Sequence, residues 1–317
     1  MDENMIRLFL IAYFLVLNTA FAQDSNIVHP LERIERALWQ DDFKMNTPRG
    51  VRYKEDQARW TMLRYDDGFF MRVKIMKAPK NGEATNNNPR YELAAYQFQK
   101  LFLDPHEYVV PPVSIRFIPI EYYSQFEPEV KPTFRKTDAV LCAFQYWLSN
   151  VSPKDLYNEE RFEEDSLYAT HIANFNIFTY LVQHNDSNEG NALISTDAEN
   201  PRVFSVDNGL TFGEEYSRLG VKWRNLFVPR LPEKTINRLR ALEYDSLFNA
   251  LSVIAQYRSE DGSVEAIELT PVLDKYKGVR VEKGMIQFGL TESEIYNLHR
   301  RLRSLLKKVD KGTIPTF

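Results

Sequence analysis

Apolar residues recur at three- and four-residue spacing along HPLERIERALWQDDF (29–43), which predicts a short helix. The period then shortens. RWTMLRYDDGFFMRVKIMK (59–77) holds two β-rich runs around Asp66-Asp67-Gly68, and a DG pair between such runs predicts a hairpin. After the polar stretch NGEATNNNP (81–89), RYELAAYQFQKLF (90–102) returns to helical spacing through Leu93, Ala94, Tyr96, Phe98 and Leu101. Pro111-Pro112 opens VSIRFIPIEYY, and TDAVLCAFQYWL (137–148) predicts another strand. Beyond NVSPKDLYNEE, SLYATHIANFNIFTYLVQ (166–183) predicts a buried helix that runs into HNDSNEGN (184–191), a stretch suited to neither helix nor strand. Two short β-like runs, ALIS (192–195) and RVFSVD (202–207), flank the turn TDAENP and end at a second polar stop, Asn208-Gly209. The remainder, EKTINRLRAL, YDSLFNALSVIAQY and TESEIYNLHRRLRSLLKKV, predicts helices separated by loops. The expected fold is α+β, with a β-rich lobe holding one prominent helix over residues 23–148 and a mainly helical lobe over 149–317. The polar stops fall where a cleft between the lobes would lie.

Composition narrows the function. The chain of 317 residues is 44% hydrophobic and 26% charged, which is ordinary globular usage. Its net charge of −4 gives no reason to expect a nucleic-acid partner. The N-terminus is different: Arg7 precedes the apolar run LFLIAYFLVL (8–17), and Ala20-Phe21-Ala22 ends in an A-x-A pattern. Residues 1–22 therefore read as a secretory signal peptide, with an uncleaved anchor as the alternative, and the protein is expected to be exported, periplasmic or secreted. No later run is apolar enough to predict a membrane span in the mature chain. The single cysteine, Cys142, lies in the apolar run AVLCAF and is expected to be a buried small hydrophobe that forms no internal disulfide. There is no CxxC or HExxH motif, and the five histidines are scattered.

Candidate chemistry lies in a few polar positions, each with an ordinary alternative. Lys74 could face solvent on an edge strand and Glu92 could be a solvated helix residue. Asp186 and Asn191 could be caps and turns, and Asp207 could end a strand. Their joint order is more informative. Phosphoryl transfer from ATP needs a cation over the phosphates, an anion to hold it, a carboxylate beside the acceptor hydroxyl, and oxygen ligands for Mg²⁺. Lys74 lies on a predicted hairpin strand, and Glu92 follows on the next helix. Asp186-x-x-x-x-Asn191 supplies a carboxylate and a side-chain carbonyl, and Asp207-Asn208-Gly209 supplies a second carboxylate. This is the chain order of the protein kinase fold.

NDSNEGNALIS followed by RVFSVDNGLTFG resembles the catalytic and metal-binding loops of the atypical kinase superfamily. That superfamily includes phosphatidylinositol 3- and 4-kinases, HipA-type kinases and the Golgi secretory-pathway kinases. VKIMKAPK followed by ELAAYQFQKLF and VVPPV is most similar to the Golgi group. The resemblance covers residues 70–215 and implies a two-lobed protein kinase-like fold. It further implies that Lys74 contacts the ATP phosphates, Glu92 orients Lys74, and Asp186 is the catalytic base or the carboxylate that positions the hydroxyl. Asn191 and Asp207 would bind Mg²⁺ or Mn²⁺, and a hinge at Gln145 and Tyr146 would contact adenine. The implied partners are the nucleotide and an acceptor hydroxyl on a protein, glycan or small molecule.

The chain departs from the family in three respects. There is no G-x-G-x-x-G loop, and Asn46-Thr47-Pro48-Arg49-Gly50 is the candidate substitute. Ser187 stands where many relatives carry a cation after the catalytic Asp, and the disulfides of the Golgi group cannot form. These departures point to an exported bacterial relative. Two other readings stay open: a pseudokinase or nucleotide-binding module without transfer, and AMP transfer on the same fold.

Overall fold

The computed structural model describes residues 24–50, 58–85, 87–213 and 222–317. The export segment expected over residues 1–22 lies outside them. Among the described residues no helix is long and apolar enough to cross a membrane.

Helix α1 (Leu31–Trp39) is shorter than the apolar spacing over 29–43 suggests, because Pro30 sits at its N-terminal boundary. Strands β1 (Lys44–Met45) and β2 (Arg49–Gly50) both pair with β3 (Ala58–Arg64). The chain turns at Asp66-Asp67-Gly68, with Gly68 at φ +83°, into β4 (Phe70–Lys77), the hairpin that the DG pair predicts. The candidate phosphate segment Asn46–Gly50 runs beside β3. Asn46 N–H donates to the Met62 carbonyl at 3.1 Å and Thr61 Oγ1 donates to the Asn46 carbonyl at 2.7 Å, so the segment is stitched along β3. Residues 51–57, which join β2 to β3, lie outside the described residues.

Helix α2 (Pro89–Gln99) follows, with Pro at its first position and Glu92 in its first turn, both favoured at a helix N-terminus. Strand β5 (Val113–Pro119), the single turn α3 (Ile120–Tyr123) and β6 (Ala139–Tyr146) complete an antiparallel sheet in the order β1-β3-β4-β6-β5. Trp60, Lys74 and Gln145 stand opposite one another in this register and share one face. The other face packs Leu63, Val73, Ile75 and Phe144 with Ile34 and Leu38 of α1. Cys142 is buried in that layer, and burial pushes its thiol pKa up, as expected for an inert small hydrophobe. Helix α2 covers the Lys74 face, where the small, fully buried Ala94 and Ala95 join the core formed with Val113, Ile115 and Ala143.

Strand β7 (Val151–Ser152) and helix α4 (Glu159–Glu164) lead into α5 (Ser166–Leu181), whose N-cap Asp165 accepts from Leu167 and Tyr168 N–H. Helix α5 is apolar on nearly every side and runs through the centre of the core. It delivers the chain to residues 184–191. Strands β8 (Ala192–Ser195) and β9 (Val203–Ser205) then form a three-stranded sheet with β7.

The C-terminal third corrects the expectation of alternating helix and loop. Helices α6 (Glu233–Arg240) and α7 (Tyr244–Leu251) are present, but α7 stops where the sequence pattern carried a helix on to Tyr257. A four-stranded antiparallel sheet follows, formed by β10 (Ala255–Glu260), β11 (Ser263–Ala266), β12 (Val279–Glu282) and β13 (Met285–Phe288). Its two hairpins turn at Asp261-Gly262 and Lys283-Gly284, all four residues at positive φ, as type I′ turns require. Arg280 is buried and holds the sheet by donating to the carbonyls of Ser252, Asp274 and Leu290 at 2.6, 2.7 and 2.9 Å.

This sheet reaches back to the N-terminal one. Tyr257 Oη donates to the Ile115 carbonyl, and its ring meets Phe117 edge-on at 4.9 Å. Helix α8 (Glu292–Asp310) opens with a Thr291/Glu294 capping box. Glu294 also accepts two bonds from the buried Arg90 of α2, at 2.8 and 3.0 Å, and Tyr91 Oη donates to it as well. Helix α2 is thereby tied to the C-terminal helix. We expect Arg90→Ala, which leaves Glu294 buried without its partner, to lower unfolding free energy in urea by about 3–5 kcal/mol. Arg90→Met with Glu294→Leu should recover most of that loss; a single variant within ~1 kcal/mol of wild type would contradict the role given to the pair.

Candidate active site

Lys74 and Gln145 project from adjacent strands into the space between the sheet and the loops of the helical lobe. Lys74 Nζ forms an ion pair with Asp207 Oδ2 at 3.2 Å, joining β4 to the loop after β9. Asp207 has left-handed backbone angles, φ +61° and ψ +58°, which a non-glycine residue adopts at a cost of about 1–3 kcal/mol and which Asp tolerates better than most. Asn208, fully buried, holds that conformation. Its side chain accepts from Ser205 Oγ at 2.9 Å and donates to the Ser205 carbonyl at 3.3 Å, while Thr211 Oγ1 donates to its backbone carbonyl at 2.7 Å.

The stretch His184–Asn191 is an ordered hydrogen-bonded loop. Asn191 Nδ2 donates to Asp186 Oδ2 at 2.9 Å, and Asn188 N–H donates to Asp186 Oδ1 at 3.3 Å. Asn188 Oδ1 in turn accepts from Gly190 N–H at 3.0 Å. Val206 N–H donates to the Asn191 carbonyl at 2.9 Å, which sets the Asp207 loop beside the Asp186 loop. Since the Asn191 amide nitrogen is turned to Asp186, its Oδ1 is the branch suited to a cation. Ser187 Oγ accepts from Trp223 N–H at 3.2 Å, so its hydroxyl serves the loop itself.

His184 was given no role from the sequence, yet it lies beneath both loops. The Asp186 N–H points to its Nδ1 at 3.4 Å, which leaves the proton on Nε2. Burial lowers its pKa, against the pull of Asp186 and Asp207, so the ring is a neutral, packed support. Its only sequence signal was its place at the head of the polar stretch.

Lys74, Gln145, Tyr146, Asp186, Asn191 and Asp207 line one cavity of about 450 Å³, a size typical of small-molecule sites. Ala58, Leu148, Leu193 and Val206 give it apolar walls. The Tyr146 ring packs in the layer beneath α1 and its Oη accepts from Val28 N–H at 3.3 Å, so the residue turns its backbone to this space. Tyr146 N–H donates to the Pro112 carbonyl at 2.8 Å, but Pro112 has no N–H to return, so the ladder supplies no donor for the Tyr146 carbonyl. The Pro-Pro pair at the start of β5 thus leaves an acceptor at the rim.

Glu92 stands behind the cavity. It shares with Lys74 a small void of about 10 Å³, room for a single water. The pairing expected between the two is not formed; Lys74 goes to Asp207 instead, and both Glu92 oxygens are buried without a completed hydrogen bond. Burial, then the nearby Asp207, push the Glu92 pKa up to about 7, while Lys74 and the Asn208 amide groups that lean toward it pull the other way. The solvated-helix alternative for Glu92 is excluded, since it is 2% exposed. A separate cluster, Asp104, His106 and Glu107, is accounted for by ion pairs of its carboxylates with Lys234 at 2.8 and 2.9 Å.

No protein-family model and no curated protein matches the chain. Among solved structures it is similar to hydra Fam20 with sugar, at 17% identity over 89% of this chain and 88% of that one, with a TM-score of 0.51. It also aligns with the Golgi casein kinase with Mn/ADP bound, at 12% identity over 97% of this chain and 89% of that one, with a TM-score of 0.47. The first likeness shows the fold: a two-lobed, kinase-like α+β architecture. Because Asn208 fixes the Asp207 turn from within the core, Asn208→Ala is expected to cost about 1–3 kcal/mol in denaturant unfolding, the penalty of buried groups left unpaired. An unchanged midpoint would show that the turn holds without it.

Proposed function

We propose that this chain is an ATP- and divalent-cation-dependent phosphotransferase that moves the γ-phosphate to a hydroxyl. The observation that carries the reading is the convergence of Lys74, Asp186, Asn191 and Asp207 from separate segments around one cavity. The Tyr146 carbonyl suits the exocyclic amine of adenine, and the apolar walls suit the faces of its ring. Lys74 would hold the α- and β-phosphates, a role supported by its place in the cavity with Asp207 and Glu92 as the anions around it.

Asn191 and Asp207 offer the oxygen donors that Mg²⁺ or Mn²⁺ takes, and the unbonded buried carboxylate of Glu92 beside Asp207 supports a cation there. Such an ion would draw charge from the phosphates. Asp186, with its carboxylate oriented by Asn191 and Asn188, takes the proton of the acceptor hydroxyl as that oxygen bonds to the γ-phosphorus. The bond from the γ-phosphorus to the bridging oxygen breaks, and ADP leaves with that electron pair. The acceptor is a protein, glycan or small-molecule hydroxyl; the sugar in the hydra Fam20 structure makes a glycan the first to try. We infer export from residues 1–22, which a fractionation assay for the mature chain tests.

Thermal stabilisation by ATP with Mg²⁺ or Mn²⁺ should be lost in Asp207→Ala and kept in Asp186→Ala, whose turnover should fall by a factor of about 10²–10³. Nucleotide binding with no turnover in wild type would favour a binding module. If both variants bind and turn over like wild type, the assignment of the cleft is wrong.

A further inference from the structure

Residues 24–28 precede α1 and lie along the connector that follows β6. Ser149 N–H donates to the Asn26 carbonyl at 3.1 Å, and Asn26 Nδ2 donates to the carbonyls of Ser149 and Asn150, each at 3.0 Å. Asn150 Nδ2 donates to the Ser25 carbonyl at 3.1 Å, and Val28 N–H donates to Tyr146 Oη at 3.3 Å. Asn26 is fully buried. The arm is anchored at its other end to the β8–β9 hairpin, through an Asp24–Arg202 ion pair and a Ser25 Oγ to Asp197 Oδ2 bond of 3.0 Å. Arg202 is itself buried and donates to the Tyr108 carbonyl at 2.9 Å.

The connector is therefore gripped from two sides. Its Asn150 carbonyl also accepts from Thr196 N–H at 2.8 Å and Thr196 Oγ1 at 3.1 Å, with Asn150 at φ +51°. A connector between lobes in a two-lobed fold is ordinarily where hinge motion is absorbed. Here the groups that would move are tied to a peptide more than a hundred positions away in sequence.

We infer that Asn26 is a positioning residue for the adenine end of the cleft. By holding the Ser149 and Asn150 carbonyls it fixes Tyr146 and Leu148, which line the cavity, while Lys74, Asn191 and Asp207 at the phosphate end are held by other elements. The inference rests on the nucleotide reading proposed above. It separates affinity for the base from affinity for the phosphates, which a general stabilising role for the arm would not do.

The test is calorimetric titration of the full chain with adenosine, with Mg²⁺–ATP and with Mg²⁺–triphosphate, comparing wild type with Asn26→Asp. That change keeps the shape but turns a carboxylate on two carbonyl oxygens. Adenosine and ATP should weaken by about tenfold, the equivalent of one lost buried hydrogen bond, with triphosphate unchanged. Asn150→Gly, which keeps the left-handed backbone and cuts only the tie to Ser25, should shift base affinity in the same direction by less. Equal adenosine affinity in wild type and both variants overturns the inference, and so does equal weakening of adenosine and triphosphate. A wild type that binds triphosphate but neither adenosine nor ATP overturns the nucleotide reading instead.

Discussion

The ion pair between Lys74 and Asp207 is the contact around which the cleft is organised. Lys74 sits mid-strand in a sheet whose other face is buried against α1, so its position is fixed by register and core packing. Asp207 sits on a strained left-handed turn that is locked by a buried Asn208. A contact between two such rigidly placed groups sets the distance between the lobes. The other polar positions fall into place from it: Asn191 through the Val206 bond, and Asp186 through Asn191.

The same pair explains the state of Glu92. Two carboxylates compete for Lys74, and Asp207, the more exposed of them, takes it. Glu92 is left buried without a completed hydrogen bond, and its pKa rises. A buried carboxylate in that condition destabilises the protein unless something compensates it. Such uncompensated charge is tolerated at functional sites, where a ligand relieves it. On the function proposed above, a divalent cation at Asp207 would compete with Lys74 for that carboxylate.

Much of this was legible in the sequence because local signals and chain order agreed. The DG pair at 67–68 gave the β3–β4 hairpin, and the Glu-Leu-Ala-Ala run gave the close-packed α2. HNDSNEGN gave a loop whose asparagines proved to hold one another and Asp186. What was missed depends on distant contacts. Strands β10 and β11 are polar and largely exposed on one side, so their periodicity is weak, and Asp261-Gly262 lies between runs too polar to signal a hairpin. The arm at 24–28 gains its order from Arg202, Ser149 and Asn150, which no local pattern announces. The switch of Lys74 from Glu92 to Asp207 depends on burial and distance that spacing does not report.

Helix α2, the carrier of Glu92, is tied to α8 by Arg90, and the β10–β13 sheet is pinned to β5 by Tyr257. The frame around the cleft is therefore braced on several sides. The proposed transfer of the γ-phosphoryl group is open to direct measurement. Its most direct test is to incubate the full chain and Mn²⁺ with ATP labelled at the γ- or the α-phosphorus, over candidate glycan and protein acceptors, and to follow where each label goes. We expect the γ-label on the acceptor with ADP formed in equal amount; α-label on the acceptor, or no ADP at all, would rule the proposed transfer out.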